Sequence, residues 1–357
     1  EELDLGPFSN RLPQISFEVC RPLADADTAE GLVKAVTLIP ASGEFSYATQ
    51  PVRKSSGSGG ATLAENLNAI TDTADIIVAL DRLQAMAPAV ESVSLVVAWF
   101  GNDLRAGNCK VRPGVEVATK TTTPAAWTVN GIARAEAMLV SRDAEDRPVF
   151  GGTPADFAVV QAIREMKTRG LRVTFYPFLL MDVPPGNTLP NPYSDNAATP
   201  GQPTFPWRGR ITCSPAAGYA GTVDKAATAA AQIATFFGTA TPAQYSILGD
   251  SVSWTGPVGE WSLRRMILHY AHLCKAAGGV DAFLIGSEMP GLTTIRSGGA
   301  TYPAVQAYRD LAADVRSILG AGPRIGYAAD WSEYFGHHPA DGSGDVFFHL
   351  DPLWSDA

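Results

Sequence analysis

The apolar positions of this chain form short runs separated by segments with a helical period. The runs have strand length and are apolar at nearly every position; they lie at 36–40, 93–100, 172–180, 280–286 and 324–329. Parallel strands that are covered by helices typically have apolar residues on both faces. We therefore predict that these runs are parallel strands of one sheet.

The segments between the runs carry apolar residues at three- and four-residue spacings, the pattern of an amphipathic helix. They lie at 73–87, 154–169, 260–277 and 302–319. Pro88 follows the first, and Gly170, Gly278 and Gly320 follow the others, as expected for residues that end helices. Strands that alternate with such helices predict βαβ units.

Long irregular loops at 41–62, 101–130 and 183–222 all follow the carboxyl ends of predicted strands. In (β/α)8 barrels this side carries the active site. We predict an α/β fold with a (β/α)8 TIM-barrel-like domain over residues 23–357. Only five candidate strands are present, and closure needs eight, so we expect the later strands to be missing from this chain.

Residues 1–22 differ from the rest, because Ile15, Phe17 and Val19 alternate with polar residues as in a half-buried strand. They are predicted to be a separate β segment. The chain opens on Glu1 without an initiator Met, which suggests part of a longer protein.

The composition is that of a folded domain, with 46% hydrophobic and 18% charged residues. A net charge of −9, spread along the chain, argues against nucleic-acid binding. No apolar run approaches the roughly 18 residues of a membrane span. The four cysteines are far apart, so neither a disulfide framework nor a Cys metal motif is predicted.

Acidic and aromatic residues follow the predicted strands on the loop-rich side. The first strand is followed by Ser42 and Glu44, and the candidates from the other four are Trp99, Asn102, Asp103, Tyr176, Asp182, Ser287, Glu288, Tyr327, Asp330, Trp331 and Glu333. Aromatic faces cover the C–H side of a sugar ring, and carboxylates accept hydrogen bonds from its hydroxyls. Glycoside hydrolysis also needs two carboxyl groups: one is protonated and gives its proton to the leaving oxygen, and the other is a carboxylate that attacks the sugar or activates water.

Structural alternatives exist for several of these residues. Glu288 is also placed to be a helix cap or a loop ion-pair partner, and Asp103 to pair with Arg105. Asp330 and Glu333 have the spacing of a turn and a capping pair. The tryptophans are individually typical of core packing.

Other chemistries have weaker support in the sequence. His269 and His272 lie three residues apart on a predicted helix, but no third metal ligand is evident. The polar residues around His337 and His338 fit no standard metal spacing. A nucleophile elbow and a P-loop are both absent from the sequence. We therefore expect no metal or organic cofactor.

A family resemblance adds to this interpretation. The stretches at 91–116 (with "VVAWFGNDLRAGN"), 269–296 (with "DAFLIGSEMPG") and 324–354 (with "YAADWSEYFGHHP") resemble the glycoside-hydrolase-like, TIM-barrel-like domain of gene transfer agent and phage tail proteins. The resemblance spans most of residues 30–357. Residues 3–19 resemble the hub segment of phage tail tip and baseplate proteins.

The resemblance implies a component of the tail tip or baseplate of a virion-like particle, made in the cytoplasm and acting at the host cell envelope. It implies other tail proteins as partners, an oligomeric state in the particle, and peptidoglycan or surface polysaccharide as substrate. Related glycosidases place the acid/base Glu at the end of the fourth strand, the position of Glu288. Their nucleophile follows the seventh strand, which we expect to lie outside this chain.

One departure favours a different function. Related glycosidases commonly have Asn before the acid/base residue, and here that residue is Ser287. The alternative is a non-catalytic structural or glycan-binding barrel of the tail tip, because a barrel fold does not by itself give activity. A third possibility is a polysaccharide-processing enzyme unrelated to tails.

Overall fold

The computed structural model describes residues 27–40, 43–55, 62–196 and 201–356. The predicted hub segment, 1–22, lies outside the described residues, and so does Ser42. The division into two domains therefore stays a prediction.

The strands of the described ranges include five long or central ones and several short pairs in the loops. They are β1 (Ala35–Leu38), β2 (Arg53–Ser55), β3 (Thr62–Ala64), β4 (Ser92–Gly101), β5 (Val111–Arg112), β6 (Gly114–Val115), β7 (Thr122–Thr123), β8 (Thr128–Val129), β9 (Ile132–Ala133), β10 (Met138–Leu139), β11 (Arg172–Met181), β12 (Tyr245–Leu248), β13 (Ser251–Trp254), β14 (Ala282–Ser287) and β15 (Arg324–Ala328).

The α-helices of the same ranges lie mostly between the central strands. They are α1 (Ala29–Leu32), α2 (Asp75–Met86), α3 (Asp156–Thr168), α4 (Ala227–Phe237), α5 (Leu263–Ala276), α6 (Pro290–Thr293), α7 (Pro303–Leu319) and α8 (Asp351–Asp356). Single 3₁₀ turns occupy Arg134–Glu136, Arg208–Arg210, Pro242–Gln244 and Trp331–Phe335.

The central sheet has the order β1-β4-β11-β14-β15, and all of these strands are parallel. Its longest pairing runs from Arg172 opposite Ser92 to Met181 opposite Gly101. Neighbours in the sheet are also successive in the chain, with a helix in each crossover, which is how a (β/α) barrel is built. The predicted α/β class is confirmed, and the sheet is open between β1 and β15 in the described residues.

The predicted helices are confirmed, and their ends follow local chemistry. The Ser262 hydroxyl caps α5 by accepting a hydrogen bond from the Arg265 N–H at 3.2 Å. Pro303 begins α7, and Gly320 ends it with a φ of +77° that favours glycine. The alanine-rich helix α4 lies in a region for which we predicted no helix.

The two faces of the sheet differ, because helices cover only one of them. Along β11, Val173, Phe175 and Leu179 are buried toward the helices, whereas Tyr176 and Phe178 alternate with them and are half-buried. The concave face borders a cavity of about 360 Å³ lined mainly by apolar side chains, among them Ile39, Val96, Phe150, Tyr176, Phe178 and Leu180.

The loops after β1 and β4 are tied together by buried charges. Glu44 is 1% exposed and lies 2.7 Å from both Lys120 Nζ and an Arg134 nitrogen. Burial alone would raise the pKa of Glu44, but hydrogen bonds and charge from Arg134 and Lys120 hold it below its ordinary value. The pairing of β2 with β7 also joins these loops. Glu44 is thus a structural ion-pair partner.

None of the helices in the described part of the chain is long and apolar enough to cross a membrane.

Candidate active site

Glu288 follows the last residue of β14 in a backbone conformation that is uncommon for a residue with a side chain. Its φ is +51°, in the left-handed region, which costs a non-glycine residue about 1–2 kcal/mol. Two hydrogen bonds fix this geometry: the Glu288 N–H donates to Ala328 O at 2.8 Å, and the Met289 N–H donates to the Tyr327 hydroxyl at 2.8 Å. The sheet therefore aims the carboxylate outward at its loop-rich end.

The Glu288 carboxylate is 40% exposed and is held by two residues from the loop after β11. Arg208 donates to its Oε2 at 2.6 Å, and the Trp207 indole N–H donates to the same oxygen at 3.2 Å. Met289, not Glu288, precedes the first turn of α6, and no side chain caps that helix. The helix-cap alternative is wrong, and the ion-pair alternative is confirmed.

Arg208 is itself held firmly beneath the carboxylate. Its side chain is 6% exposed and donates to the Ser287 carbonyl at 2.9 Å and to the Ser287 hydroxyl at 3.1 Å. Its guanidinium carbon lies 3.8 Å from the centroid of the Phe178 ring, which is a cation–π contact. Ser287 thus serves to position Arg208, and its hydroxyl is buried.

Aromatic side chains extend from this carboxylate onto the concave face. The rings of Tyr176 and Phe178 are 5.5 Å apart, and both line the 360 Å³ cavity. Trp207 is 42% exposed beside Glu288. These aromatic surfaces and the half-exposed carboxylate have the chemistry of a sugar-binding cleft. We call Tyr176, Phe178, Trp207, Arg208 and Glu288 the Glu288 cluster.

Of the residues predicted at the ends of β4 and β11, Tyr176 joins this cluster, whereas Trp99, Asn102, Asp103 and Asp182 do not. Trp99 is completely buried, and its ring packs 5.7 Å from His269 and 6.1 Å from Tyr270 on the helix side of the sheet. Asp103 is 4% exposed and forms the alternative ion pair, with Arg105 at 2.6 Å. Both residues therefore stabilise the fold and are not available to line a cleft.

Asn102 and Asp182 likewise bond to nearby backbone. The exposed Asn102 accepts from the Lys110 N–H at 2.9 Å. Asp182 is 6% exposed and accepts from the Ser141 N–H at 2.9 Å through Oδ2, while its buried Oδ1 has no partner. These bonds close the loops that follow β4 and β11.

Part of the chain is similar to a known protein family. Residues 261–357 match the GTA TIM-barrel-like domain. The predicted family is confirmed for that segment, whereas the tail-hub resemblance at 3–19 stays a prediction. A search of curated protein sequences found no match.

Two solved structures of a GH113 β-1,4-mannanase, one described as a complex, also align with the chain. Each is 14% identical, with a TM-score of 0.34, and the alignments cover 73% and 72% of this chain. The chain spans 51% of the length of each mannanase.

The segment that matches the GTA TIM-barrel-like domain contains Glu288 but not Arg208 or Trp207. The two residues that hold the carboxylate come from about 80 positions earlier. Sequence reasoning missed both, because the loop after β11 gives no periodic signal. The only hint was the "FPWRGR" stretch, where Trp207 and Arg208 are adjacent.

The same segment contains a second strand-end carboxylate, Glu333, after β15. It is 3% exposed and accepts hydrogen bonds from the Thr293 hydroxyl at 2.7 Å, the Tyr327 hydroxyl at 3.0 Å and the Asp330 N–H at 2.8 Å. Burial raises the pKa of Glu333, although these hydrogen bonds oppose the rise. Asp330 in turn accepts from the Ser332 N–H at 3.0 Å. The capping-pair alternative is confirmed.

Tyr327 connects the two carboxylates, whereas Trp331 is separate from both. Tyr327 is 6% exposed. Its hydroxyl accepts a hydrogen bond from the Met289 N–H and donates one to the Glu333 carboxylate. Trp331 is 74% exposed. Tyr327 is thus a buried support behind Glu288 and does not line the cleft.

The two histidines of α5, His269 and His272, are structural. His269 lies 3.0 Å from Asp156, and both side chains are fully buried. His272 bonds to the Leu268 carbonyl and stacks 4.8 Å from Tyr245. In the described ranges, no group of three or more His, Cys, Asp or Glu residues has the geometry to hold a metal ion.

Proposed function

We propose that this GTA TIM-barrel-like domain acts on cell-envelope glycan, with Glu288 as the general acid/base of a glycoside hydrolase. The observation that carries the proposal is the carboxylate itself: it is 40% exposed, placed at the carboxyl end of β14, and hydrogen-bonded to the exposed Trp207 indole. In such barrels the reacting groups stand at this end of the strands.

The role of each residue follows from its position. In a retaining mechanism Glu288 would protonate the leaving glycosidic oxygen while a second carboxylate bonds to the anomeric carbon, and it would then take a proton from the water that hydrolyses this glycosyl-enzyme; in an inverting mechanism it would act only as the acid. Trp207 and Tyr176 would cover the C–H face of a sugar. Glu333 is not suited to be the second carboxylate, because it is 3% exposed and saturated with hydrogen bonds.

The family also supports a place in a tail-like particle. We propose that the domain belongs to the tail tip or baseplate, contacts other tail proteins, and meets peptidoglycan or surface polysaccharide during DNA delivery.

A binding function without catalysis is the second candidate, and a specific contact favours it. Arg208 lies 2.6 Å from Glu288 Oε2, and the Trp207 indole N–H donates to the same oxygen, so this oxygen is already bonded within the protein. A carboxylate held in this way can accept hydrogen bonds from sugar hydroxyls without any proton transfer. Catalysis would first require substrate to separate Glu288 Oε2 from Arg208.

The deciding experiment measures turnover of peptidoglycan and capsule fragments by the complete protein and its Glu288→Gln variant. We expect a loss of about 10²- to 10⁴-fold in turnover, the usual effect of removing a general acid/base. The matched control is Glu91→Gln, which changes a 55% exposed carboxylate just before β4, at the other end of the sheet. Equal turnover by both variants and the parent would remove Glu288 from the mechanism.

A further inference from the structure

A second cavity lies on the helix-covered side of the sheet, outside the Glu288 cluster. It has a volume of about 290 Å³, and its lining includes Arg112, Asn130, Glu136, Trp254, Trp261 and Arg265. Arg112 is in β5, which pairs with the end of β4. The Trp261 ring packs 6.2 Å from Trp99, which places the cavity beyond the buried core. We call it the Arg–Trp pocket.

Arginine and tryptophan side chains are stacked along this pocket. The guanidinium carbon of Arg265 lies 3.6 Å from the Trp261 centroid and 4.6 Å from that of Trp254. The guanidinium carbon of Arg112 lies 4.9 Å from the Trp261 centroid. Arg265 is 1% exposed and donates to Asn130 Oδ1 at 2.7 Å, so the stack is fixed. The pocket is preformed and positively charged.

The positive charge of the pocket is only partly compensated. Two arginines and one carboxylate residue, Glu136, line it, and in the described ranges Arg112 and Arg265 donate to the Glu136 and Glu260 carbonyls, at 2.9 and 2.5 Å, and form no ion pair. Glu260 accepts from the Ser262 hydroxyl, and Glu136 accepts from the Ala133 N–H. Burial lowers the pKa of Arg265 to about 10, which still leaves it charged at neutral pH. An anion bound in the pocket would offset the free-energy cost of burying the Arg265 charge.

Two hydrogen-bond donors in the pocket have no acceptor among the residues that the structure describes. They are Asn130 Nδ2, in a residue that is 1% exposed, and the buried Arg112 Nε. A buried donor that lacks an acceptor costs about 1–3 kcal/mol in general, so such groups are usually satisfied by a ligand or water. Both donors belong to residues that line the same cavity.

We propose that the Arg–Trp pocket binds the carboxylate of an acidic sugar. The carboxylate would accept hydrogen bonds from Arg112 and Asn130, and the sugar ring would lie against the half-exposed Trp254 and Trp261. The volume is close to the lower end of small-ligand sites, which fits a single sugar unit. Two classes of acidic sugar are candidates: uronates, whose carboxylate is bonded to the sugar ring, and muramic acid, whose carboxylate is on a lactyl ether attached to the ring.

The experiment is an NMR titration of the tryptophan indole N–H signals in the complete protein. The probes are D-glucuronate, N-acetylmuramate, the methyl ester of D-glucuronic acid, and inorganic phosphate. We expect at least one of the two acids to shift the Trp254 and Trp261 signals and to bind about tenfold or more tightly than the ester, because only a carboxylate makes charge-assisted bonds. The acid that binds more tightly shows whether the ligand is a uronate or a muramate.

Arg112→Gln is expected to weaken binding of that acid by about tenfold or more. The matched control is Arg172→Gln, which changes a 63% exposed arginine at the opposite end of the sheet and should leave affinity unchanged. Equal binding of acid and ester, equal binding of phosphate, or full affinity in Arg112→Gln would overturn the proposal. The titration is repeated in Glu288→Gln, where binding should persist even if hydrolysis is never observed.

Discussion

The ends of β14 and β15 both carry a glutamate, and the two neighbours have opposite environments. Glu288 is 40% exposed and bonds to a cation and an indole, whereas Glu333 is 3% exposed and bonds to neutral hydroxyl and backbone donors. A position at a strand end therefore does not define a reactive carboxylate. Exposure and the identity of the donors separate a group that can meet a substrate from one that supports it.

Glu333→Ala should cause the largest change in stability. It leaves the buried Thr293 and Tyr327 hydroxyls and the Asp330 N–H without their acceptor, so we expect a loss of about 3 kcal/mol in the free energy of unfolding. Chemical denaturation measures this loss. Glu288→Ala is the comparison variant. If it destabilises the protein as much as Glu333→Ala does, the two carboxylates do not differ in their structural roles.

The pH dependence of stability should sharpen the same contrast. Burial raises the folded-state pKa of Glu333 above its ordinary value of 4.5. The stability that the protonated carboxyl contributes to the folded state is therefore fully present below pH 4.5 and is lost as pH rises through the folded pKa. The parent protein should therefore lose stability relative to Glu333→Gln between acidic and neutral pH. Denaturation curves measured at several pH values test this, and parallel profiles for the two proteins would contradict it.

The smallest expected effect concerns the backbone of Glu288. With φ at +51°, Glu288→Gly should be about 1 kcal/mol more stable than Glu288→Ala. Both variants remove the carboxylate, so their difference isolates the backbone conformation. Gly326, which has ordinary φ in β15, gives the control: there Gly→Ala should show no such penalty. A more stable alanine variant at 288 would show that the conformation is not strained.

The sequence was sufficient to predict the central strands and their helices because burial imposes a strong local periodicity on both. Counting the predicted strands along the chain also placed Glu288 after the fourth one. Sequence could not indicate which face of β4 meets the helices, since its residues are apolar on both sides, and so Trp99 was assigned to the cleft. Arg208 was missed because its contact with Glu288 depends on how a long, irregular loop returns to the sheet.

The two hydrogen bonds that flank Glu288 also determine what can move there. Its own N–H and that of Met289 are bonded to Ala328 and Tyr327, both in β15. The Glu288 amide exchanges with solvent only when its bond to β15 opens, at the edge of the sheet in the described residues, and the Met289 amide only when the Tyr327 hydroxyl moves away. Adjustment to a ligand is therefore expected in the Glu288 side chain and in the loop that carries Arg208 before it reaches the main chain beneath them.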